Sequence, residues 1–195
     1  MTAPSRVAIF RLMRAQYQED RATQAAGRLL KHEGGRMNIL KLIKLLYLVD
    51  RTALTRFGRP VTFDSYFSMP HGPVLSMTLD RINADPDPAR GTYWHRYVSE
   101  RQGYDVQLIA PTPNDQLSQA EERVIDDVFG EFGKMNQWEL VEWCHRHLPE
   151  WKDPQGSAVR IEIADILRAT GLSTEQAAAV EDALAAEALL DQLAR

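Results

Sequence analysis

The chain has 195 residues, 44% hydrophobic and 26% charged, a composition ordinary for one globular domain with a real core. No apolar run is long enough to span a membrane, and the N-terminus lacks the apolar core and cleavage site of a signal peptide, so we expect a cytoplasmic protein. Cys144 is the only cysteine, which excludes an internal disulfide and favours a packed thiol on a helix over a reactive one.

The formal net charge of −4 hides a strong asymmetry along the chain. Residues 1–60 carry 12 Lys/Arg and 4 Asp/Glu, residues 61–110 carry 4 and 6, and residues 111–195 carry 7 and 17. Either the acidic half folds onto the basic third, or each pole meets a different partner. A nucleic-acid role for the basic third is weakly supported, because the chain as a whole is acidic.

Helical periodicity predicts the first two long elements. Residues 5–15 suit either a short strand or an irregular lead-in, and a helix is then predicted over Glu19–His32, ended by a glycine pair. Asn38 can cap a second helix over about Ile39–Phe57. Its apolar face is wide, so we expect it to be the central core helix.

The stretch PHGP at residues 70–73 predicts a stiff bend. Two prolines fix φ, and Gly72 can adopt a positive φ. Pro73 suits the first turn of a helix predicted over 74–83, and residues 84–91 are predicted to be a surface loop. Two β-rich runs, 93–98 and 104–109, then suit a hairpin.

Three capping boxes predict the helices of the C-terminal half. They begin at Ser118, Asn136 and Ser173, each with Glu or Gln three residues on. Between the last two, isoleucines predict a short strand and then a helix from about Ile163. The expected fold is mainly α (α+β), a helical domain with a small β-hairpin or antiparallel sheet, as one domain over residues 1–195.

No catalytic group is predicted from the motifs. His71 sits on the stiff bend, but neither a Gly-x-Ser-x-Gly elbow nor a His-Glu-x-x-His motif accompanies it, so we predict a structural or contact histidine. His145 and His147 point to different helix faces, which is poor chelating geometry. Convergence of His71, His95 and His145 on a metal would leave a metal-dependent hydrolase as an alternative. No phosphate-binding loop is present, and we predict no cofactor and no metal.

One helix face stands out as a candidate for binding. Lys44, Tyr47 and Arg51 follow i, i+3, i+7 on the second helix and so share a face. This face is either a partly exposed surface with a salt bridge to the acidic half, or a partner-binding face on which cations flank an aromatic ring.

Four segments, taken in order, resemble the Panacea domain of the SocA-like antitoxin family, also called phage-associated or GepA-like. The resemblance covers about residues 20–155, with a helical extension over 156–195. Lys44 to Tyr47 match a Lys-Leu-Leu-Tyr helix, and Phe67 precedes a matching Gly72-Pro73-Val74. The remaining matches are a Leu-Ser pair before a helix and a late histidine followed by Pro-x-Trp: Leu117, Ser118, His145, Pro149 and Trp151.

The resemblance implies a mostly helical domain that acts by binding proteins. Members of the family hold a protein toxin inactive, and the founding member also delivers its toxin to a ClpXP-type protease. We therefore expect a non-enzymatic antitoxin whose partner is a cognate toxin encoded by an adjacent gene, with the proteolytic adaptor role and a homodimer left open. The expected toxin-binding residues are Lys44, Tyr47, Arg51, His71, Gly72, Pro73 and Val74. The alternatives are a DNA-binding regulator of its own operon and the metal-dependent hydrolase.

Overall fold

A computed structural model of the protein describes residues 17–84 and 92–193. The lead-in expected over 5–15 and most of the loop expected over 84–91 lie outside these ranges. Seven helices and small antiparallel sheets of two and three strands make the described chain mainly α, as predicted, with 56% of it helical. The elements are α1 (Glu19–His32), β1 (Arg36–Asn38), α2 (Ile39–Phe57), β2 (Tyr66–Met69), β3 (Gly72–Leu75), α3 (Ser76–Asn83), β4 (Asp105–Gln107), α4 (Gln119–Phe132), α5 (Gln137–His147), β5 (Val159–Ile161), α6 (Ile163–Ala169) and α7 (Thr174–Leu193).

Helix α2 is the central core helix, and its predicted bounds are confirmed. The Asn38 side chain accepts a hydrogen bond from the Leu40 amide at 3.0 Å. At the other end Gly58 adopts φ +67° and donates its amide to the Leu54 carbonyl. The helix packs against α1, α4, α5 and β3. Its buried side chains extend around most of the helix, which is why its apolar stripe is wide in the sequence.

The three predicted capping boxes are confirmed. Ser118 caps α4 and Asn136 caps α5, each with a reciprocal bond from the glutamate three residues on. Before α7, the Gln176 amide donates to Ser173 Oγ, and Gln176 Oε1 accepts from the Ser173 amide. These local hydrogen bonds satisfy helix-end amides without help from the rest of the fold, so sequence alone locates the helix starts.

The bend predicted at PHGP is a β-hairpin turn, and the helix predicted over 74–83 is present with its start two residues later than predicted. Strands β2 and β3 pair in antiparallel register around Pro70 and His71, and β5 completes the sheet in the order β3-β2-β5. Pro73 is tolerated in β3 because this is an edge strand. Helix α3 begins only at Ser76, where Asp64 accepts from the Met77 and Thr78 amides at 2.8 Å each.

The hairpin predicted from residues 93–98 and 104–109 is confirmed only in part. Residues 94–96 form a 3-10 turn, and strand β4 pairs with β1. Antiparallel bridges join Val98 to Leu108 and Gln102 to Asp105, and the Ile109 amide donates to the Tyr97 carbonyl at 2.9 Å. Trp94 is fully buried, and its amide donates to Glu19 Oε1 at 2.9 Å. This contact with α1 overrides the β propensity of the segment.

The acidic half folds onto the basic third, as the first interpretation of the charge asymmetry predicted. Five cations from residues 17–60 pair with acids beyond residue 111. Most of these contacts attach α1 and α2 to α4 and to the segments that follow it. The pairs are Arg21–Glu121, Arg28–Asp126 with Glu122, Arg51–Glu150, Arg56–Asp127 and Arg59–Glu187.

The C-terminal helix α7 packs mainly on α6. Ala177 and Leu184 are buried, and Glu181 accepts from the Ala164 amide at 2.9 Å. Leu189 and Leu190 are exposed on the same helix. Within the ranges that the structure describes, every helix is too short or too polar to cross a membrane.

Candidate partner-binding groove

The β2–β3 hairpin turn forms one wall of a groove. Gly72 adopts φ +93°, which favours glycine over any residue with a side chain. A Cβ at this position would lie 3.0 Å from Lys44 Cε and 3.3 Å from Lys44 Nζ. The absence of a side chain at Gly72 therefore lets the hairpin approach helix α2 closely, directly over Lys44.

His145 and Trp151, which belong to the sequence pattern, support the turn on the side away from the groove. Trp151 Nε1 donates to the Met69 carbonyl at 3.0 Å, and the Lys152 amide donates to Ser68 Oγ at 3.1 Å. His145 stacks on Trp151 with ring centroids 4.0 Å apart. Burial, reinforced by the charges of Lys44 and His71, lowers the pKa of His145. The lowered pKa favours the neutral imidazole, and the ring supports the turn through its stacking on Trp151.

The remaining pattern residues also have structural positions. Phe67 lies in β2, opposite Val74 of β3 and Arg160 of β5. Leu117 packs against the core, and Ser118 caps α4. These residues hold the elements together and lie outside the groove lining.

The groove encloses about 730 Å³ between the start of α2, the hairpin turn and the start of α5. Trp138 and Tyr104 stand at its edge with 57% and 76% of their surface exposed. The His71 ring meets the Trp138 ring edge-on, with centroids 5.5 Å apart. Arg101 lies over the Tyr104 ring at 5.6 Å. The apolar part of the lining is formed by Ile39, Leu40, Ile43, Met69, Val74 and Leu79.

Lys44 lies in this lining and is fully buried. Its Nζ donates to the Pro73 carbonyl at 2.7 Å. Burial lowers its pKa from 10.5 to about 8. Among the described residues no carboxylate lies within salt-bridge distance of Nζ. The neighbouring thiol of Cys144 is buried as predicted, and burial raises its pKa to about 11.

Tyr47 and Arg51 do not line the groove, so the predicted face is divided. Tyr47 is fully buried, and its hydroxyl donates to Glu150 Oε1 at 3.1 Å. Arg51 Nε donates to the same oxygen at 2.7 Å. The predicted salt bridge to the acidic half is confirmed, whereas the expected exposure of Lys44 and Tyr47 is wrong.

The predicted histidines do not gather into a metal site within the described ranges. No group of three or more His, Cys, Asp or Glu residues there is placed to hold a metal ion. His95 Nδ1 lies 2.6 Å from Thr92 Oγ1, while His71 and His145 belong to the hairpin region. The metal-dependent alternative therefore has no ligand set in these ranges.

Among the groove residues that sequence reasoning missed are the exposed ones at its edge: Trp138, Tyr104 and Arg101. For Trp138 a partial signal exists, since it lies away from the buried Leu140 and Cys144 around α5 but three positions before the buried Val141, and so at the edge of the buried stripe. A large aromatic residue at such an edge can be partly exposed. Tyr104 and Arg101 lie in a connecting segment, where periodicity carries no such information.

A protein-family model matches the part of the chain that carries most of the groove. The model of the family described as antitoxin SocA-like, Panacea domain, matches residues 42–152. This range is more than half of the chain and contains Lys44, the hairpin, Trp138 and Trp151. No curated protein and no solved structure matches.

Proposed function

Because the chain belongs to the SocA-like antitoxin family with a Panacea domain, we propose that it binds a cognate protein toxin and holds it inactive. The family match over residues 42–152 carries this proposal. We expect the toxin to be the product of an adjacent gene. We expect this chain to inhibit the toxin by binding it and not by a catalytic reaction.

The groove is the proposed toxin-binding site. Exposed aromatic and arginine side chains are the residues that most often dominate protein–protein affinity, and here Trp138, Tyr104 and Arg101 surround an apolar concavity. The proposed contacts are the turn from His71 to Val74 together with Lys44 and the three edge residues. Tyr47 and Arg51 are left out of the contact surface because they are occupied with Glu150.

Co-expression tests the proposal. Growth of cells that express the adjacent gene product is measured with and without this protein, and complex formation is followed by size-exclusion chromatography. We expect Trp138→Ala to weaken toxin binding by about 2 kcal/mol, roughly thirtyfold, with little effect on folding. Phe57→Ala is the matched control, since Phe57 is an exposed aromatic, 49% accessible, outside the groove lining.

The proposal fails if no neighbouring gene product is toxic and none co-purifies with the chain. Equal losses from Trp138→Ala and Phe57→Ala would leave the antitoxin function standing but remove the groove as its site.

The adaptor and regulator roles are separate outcomes of the same experiments. A shorter half-life of the toxin in the presence of both this protein and a ClpXP-type protease would support the adaptor role. Salt-sensitive retardation of promoter DNA would support the regulator. The ion pairs of Arg21, Arg28, Arg51, Arg56 and Arg59 with acids of the same chain reduce the positive charge available for phosphates.

A further inference from the structure

The groove continues along helix α3. A second cavity of about 310 Å³ shares Met69, Val74 and Leu79 with it. The α3 residues that line the two cavities recur at i, i+3, i+4 and i+7 and so lie on one face of the helix: Ser76, Leu79, Asp80 and Asn83. Thr78 and Ile82, on the opposite face, are buried. One face of α3 is therefore a wall common to both cavities, which together are called the extended groove.

The apolar surface of the extended groove is open to a partner. Phe67, Met69 and Leu79 are only partly buried against the core. Trp138 and Tyr104 add exposed rings at the edge. An apolar side chain of a partner that packs on this surface removes further apolar area from water, which favours binding.

Arg101 is an exposed cation at the α3 side of the extended groove. Its Nε donates to the Gly103 carbonyl at 2.6 Å, its Nη1 donates to Asn83 Oδ1 at 3.1 Å, and its guanidinium lies over the Tyr104 ring. Both acceptors are neutral, and three of the five N–H donors of the guanidinium remain. The side chain is thus held in position with donors available for a carboxylate.

Asp80 is an exposed anion on the same wall. Among the described residues no side chain pairs with its carboxylate, and it lies one turn before Asn83, about 5 Å along the α3 axis. The anion therefore lies nearer the start of α3, and the cation lies beyond it, next to Asn83. Opposite charges in a fixed order beside an apolar surface select both the composition and the direction of a bound segment.

We propose that the extended groove binds an amphipathic segment of the toxin in one direction. A carboxylate of the segment pairs with Arg101, and a basic side chain pairs with Asp80. An apolar side chain of the same segment packs on Met69 and Leu79. That the partner is a toxin rests on the proposed function, whereas the chemistry of the segment rests on the charges and apolar surface of the groove.

The first test needs no toxin. Random peptides displayed on phage are selected on the immobilised full chain after depletion on Trp138→Ala. We expect the enriched peptides to carry an apolar residue together with an acid and a base, and the acid and base to follow one sequence order. The absence of enrichment, or enrichment of peptides without both charges, would overturn the proposal. So would a dimer of the isolated chain that Trp138→Ala dissociates, because the groove would then bind a second copy.

Charge reversal makes the test specific. Arg101→Glu and Asp80→Lys should each weaken binding of a synthesised selected peptide by about tenfold or more, because repulsion replaces attraction. The double variant should select peptides in which the acid and the base are exchanged. Arg96→Glu is the matched control, since Arg96 is exposed and lies over the Tyr93 ring outside the groove lining. Equal losses in Arg101→Glu and Arg96→Glu, or selection of the same peptides by the double variant, would contradict the assigned pairs.

The second test uses the complex with the adjacent gene product. Arg101→Glu should weaken the complex by about tenfold or more, and replacement of the paired toxin acid by Lys should restore it. Asp182→Lys, which reverses an exposed aspartate of α7 outside the groove lining, should leave the affinity unchanged. If charged peptides are selected but no toxin exists, the antitoxin function fails and the groove chemistry stands. If both reversed variants neutralise a toxin as well as the wild type, the function stands and this inference fails.

Discussion

Lys44 and Arg51 lie two turns apart on the same face of α2, yet the structure treats their charges differently. Arg51 Nε donates to Glu150 at 2.7 Å, and Tyr47 between them donates to the same carboxylate. Lys44 is the more deeply buried of the two cations and has only a carbonyl as its acceptor. Arg51 thus has an anionic partner within the chain, whereas Lys44 has only a carbonyl acceptor in a fully buried position under the hairpin. The same helix face therefore carries one compensated and one uncompensated cation.

The largest expected effect on stability is at Glu150, the internal partner of Tyr47 and Arg51. Glu150→Ala removes the common acceptor of Tyr47 and Arg51, and leaves a buried hydroxyl and a mostly buried guanidinium unpaired. We expect a loss of about 3 kcal/mol or more in the free energy of unfolding, measured by urea denaturation. The control is Glu142→Ala, since the Arg146–Glu142 pair is 68% and 62% exposed and should contribute less than about 0.5 kcal/mol. Comparable losses in the two variants would contradict the assignment of Glu150 as a buried anchor.

Removal of the charge at Lys44 is expected to increase stability, whereas removal of Glu150 decreases it. Its pKa is about 8 in the folded chain and 10.5 when unperturbed, so the unfolded chain binds more protons between these values. The charge therefore destabilises the fold fully below pH 8, and the penalty disappears as pH rises towards 10.5. Lys44→Met should be more stable than wild type by about 2 kcal/mol at pH 7, after allowance for the lost bond to Pro73.

The pH dependence of the stability of Lys44→Met tests whether the charge of Lys44 destabilises the fold. The difference in unfolding free energy between Lys44→Met and wild type should shrink from pH 8 to pH 10.5. Burial raises the pKa of Cys144 to about 11, and the charge of Lys44 opposes this rise, so the comparison is made in a Cys144→Ala background to remove the thiol's contribution. A lower stability of Lys44→Met at pH 7 would show that the charge is compensated, and the contrast with Arg51 would be lost.

Gly72→Ala should cost less, about 1–2 kcal/mol. The alanine must hold φ near +93° and place a Cβ 3.0 Å from Lys44 Cε. Gly103→Ala separates these two causes, since Gly103 has φ +67° with no atom within 4 Å of the added Cβ. Thermal denaturation should give a larger decrease for Gly72→Ala, and equal decreases would mean that close approach to Lys44 contributes nothing.

His71→Ala should have the smallest effect on folding. The ring is exposed and contacts Trp138 edge-on, so stability should change by less than about 0.5 kcal/mol. Neutralisation of the toxin should nevertheless decrease, because His71 stands at the edge of the groove. His147→Ala, an exposed histidine outside the groove lining, is the control. Unchanged neutralisation in His71→Ala would reduce the turn to a structural role.

The helices were predictable because their signals are local. Asn38, Ser118 and Ser173 hydrogen-bond to amides within three residues, and the apolar stripe of α2 repeats with the helical period. The pairing of β1 with β4 was not predictable, because it joins segments that are distant in sequence. The local β2–β3 hairpin was missed because Pro73 suits the first turn of a helix as well as an edge strand. β4 pairs with β1, about seventy residues earlier, and Asp64 decides where α3 begins.

The candidate site was predictable only in part. The sequence predicted Lys44 and the turn from His71 to Val74 as binding residues, and the structure places them together. It could not show that Lys44 is buried or that Glu150 serves Tyr47 and Arg51, since helical spacing gives the face of a residue but not what covers that face.

By itself the sequence determined the mainly helical class, the family and the order of the helices, because these follow from periodicity, capping and motif spacing over short distances. Only the tertiary structure decided which charges are paired, which aromatic rings remain exposed and where a groove opens. Those properties depend on how distant segments pack, and Lys44 and Arg51, equivalent in the helical pattern, become different only when Glu150 reaches one of them and not the other.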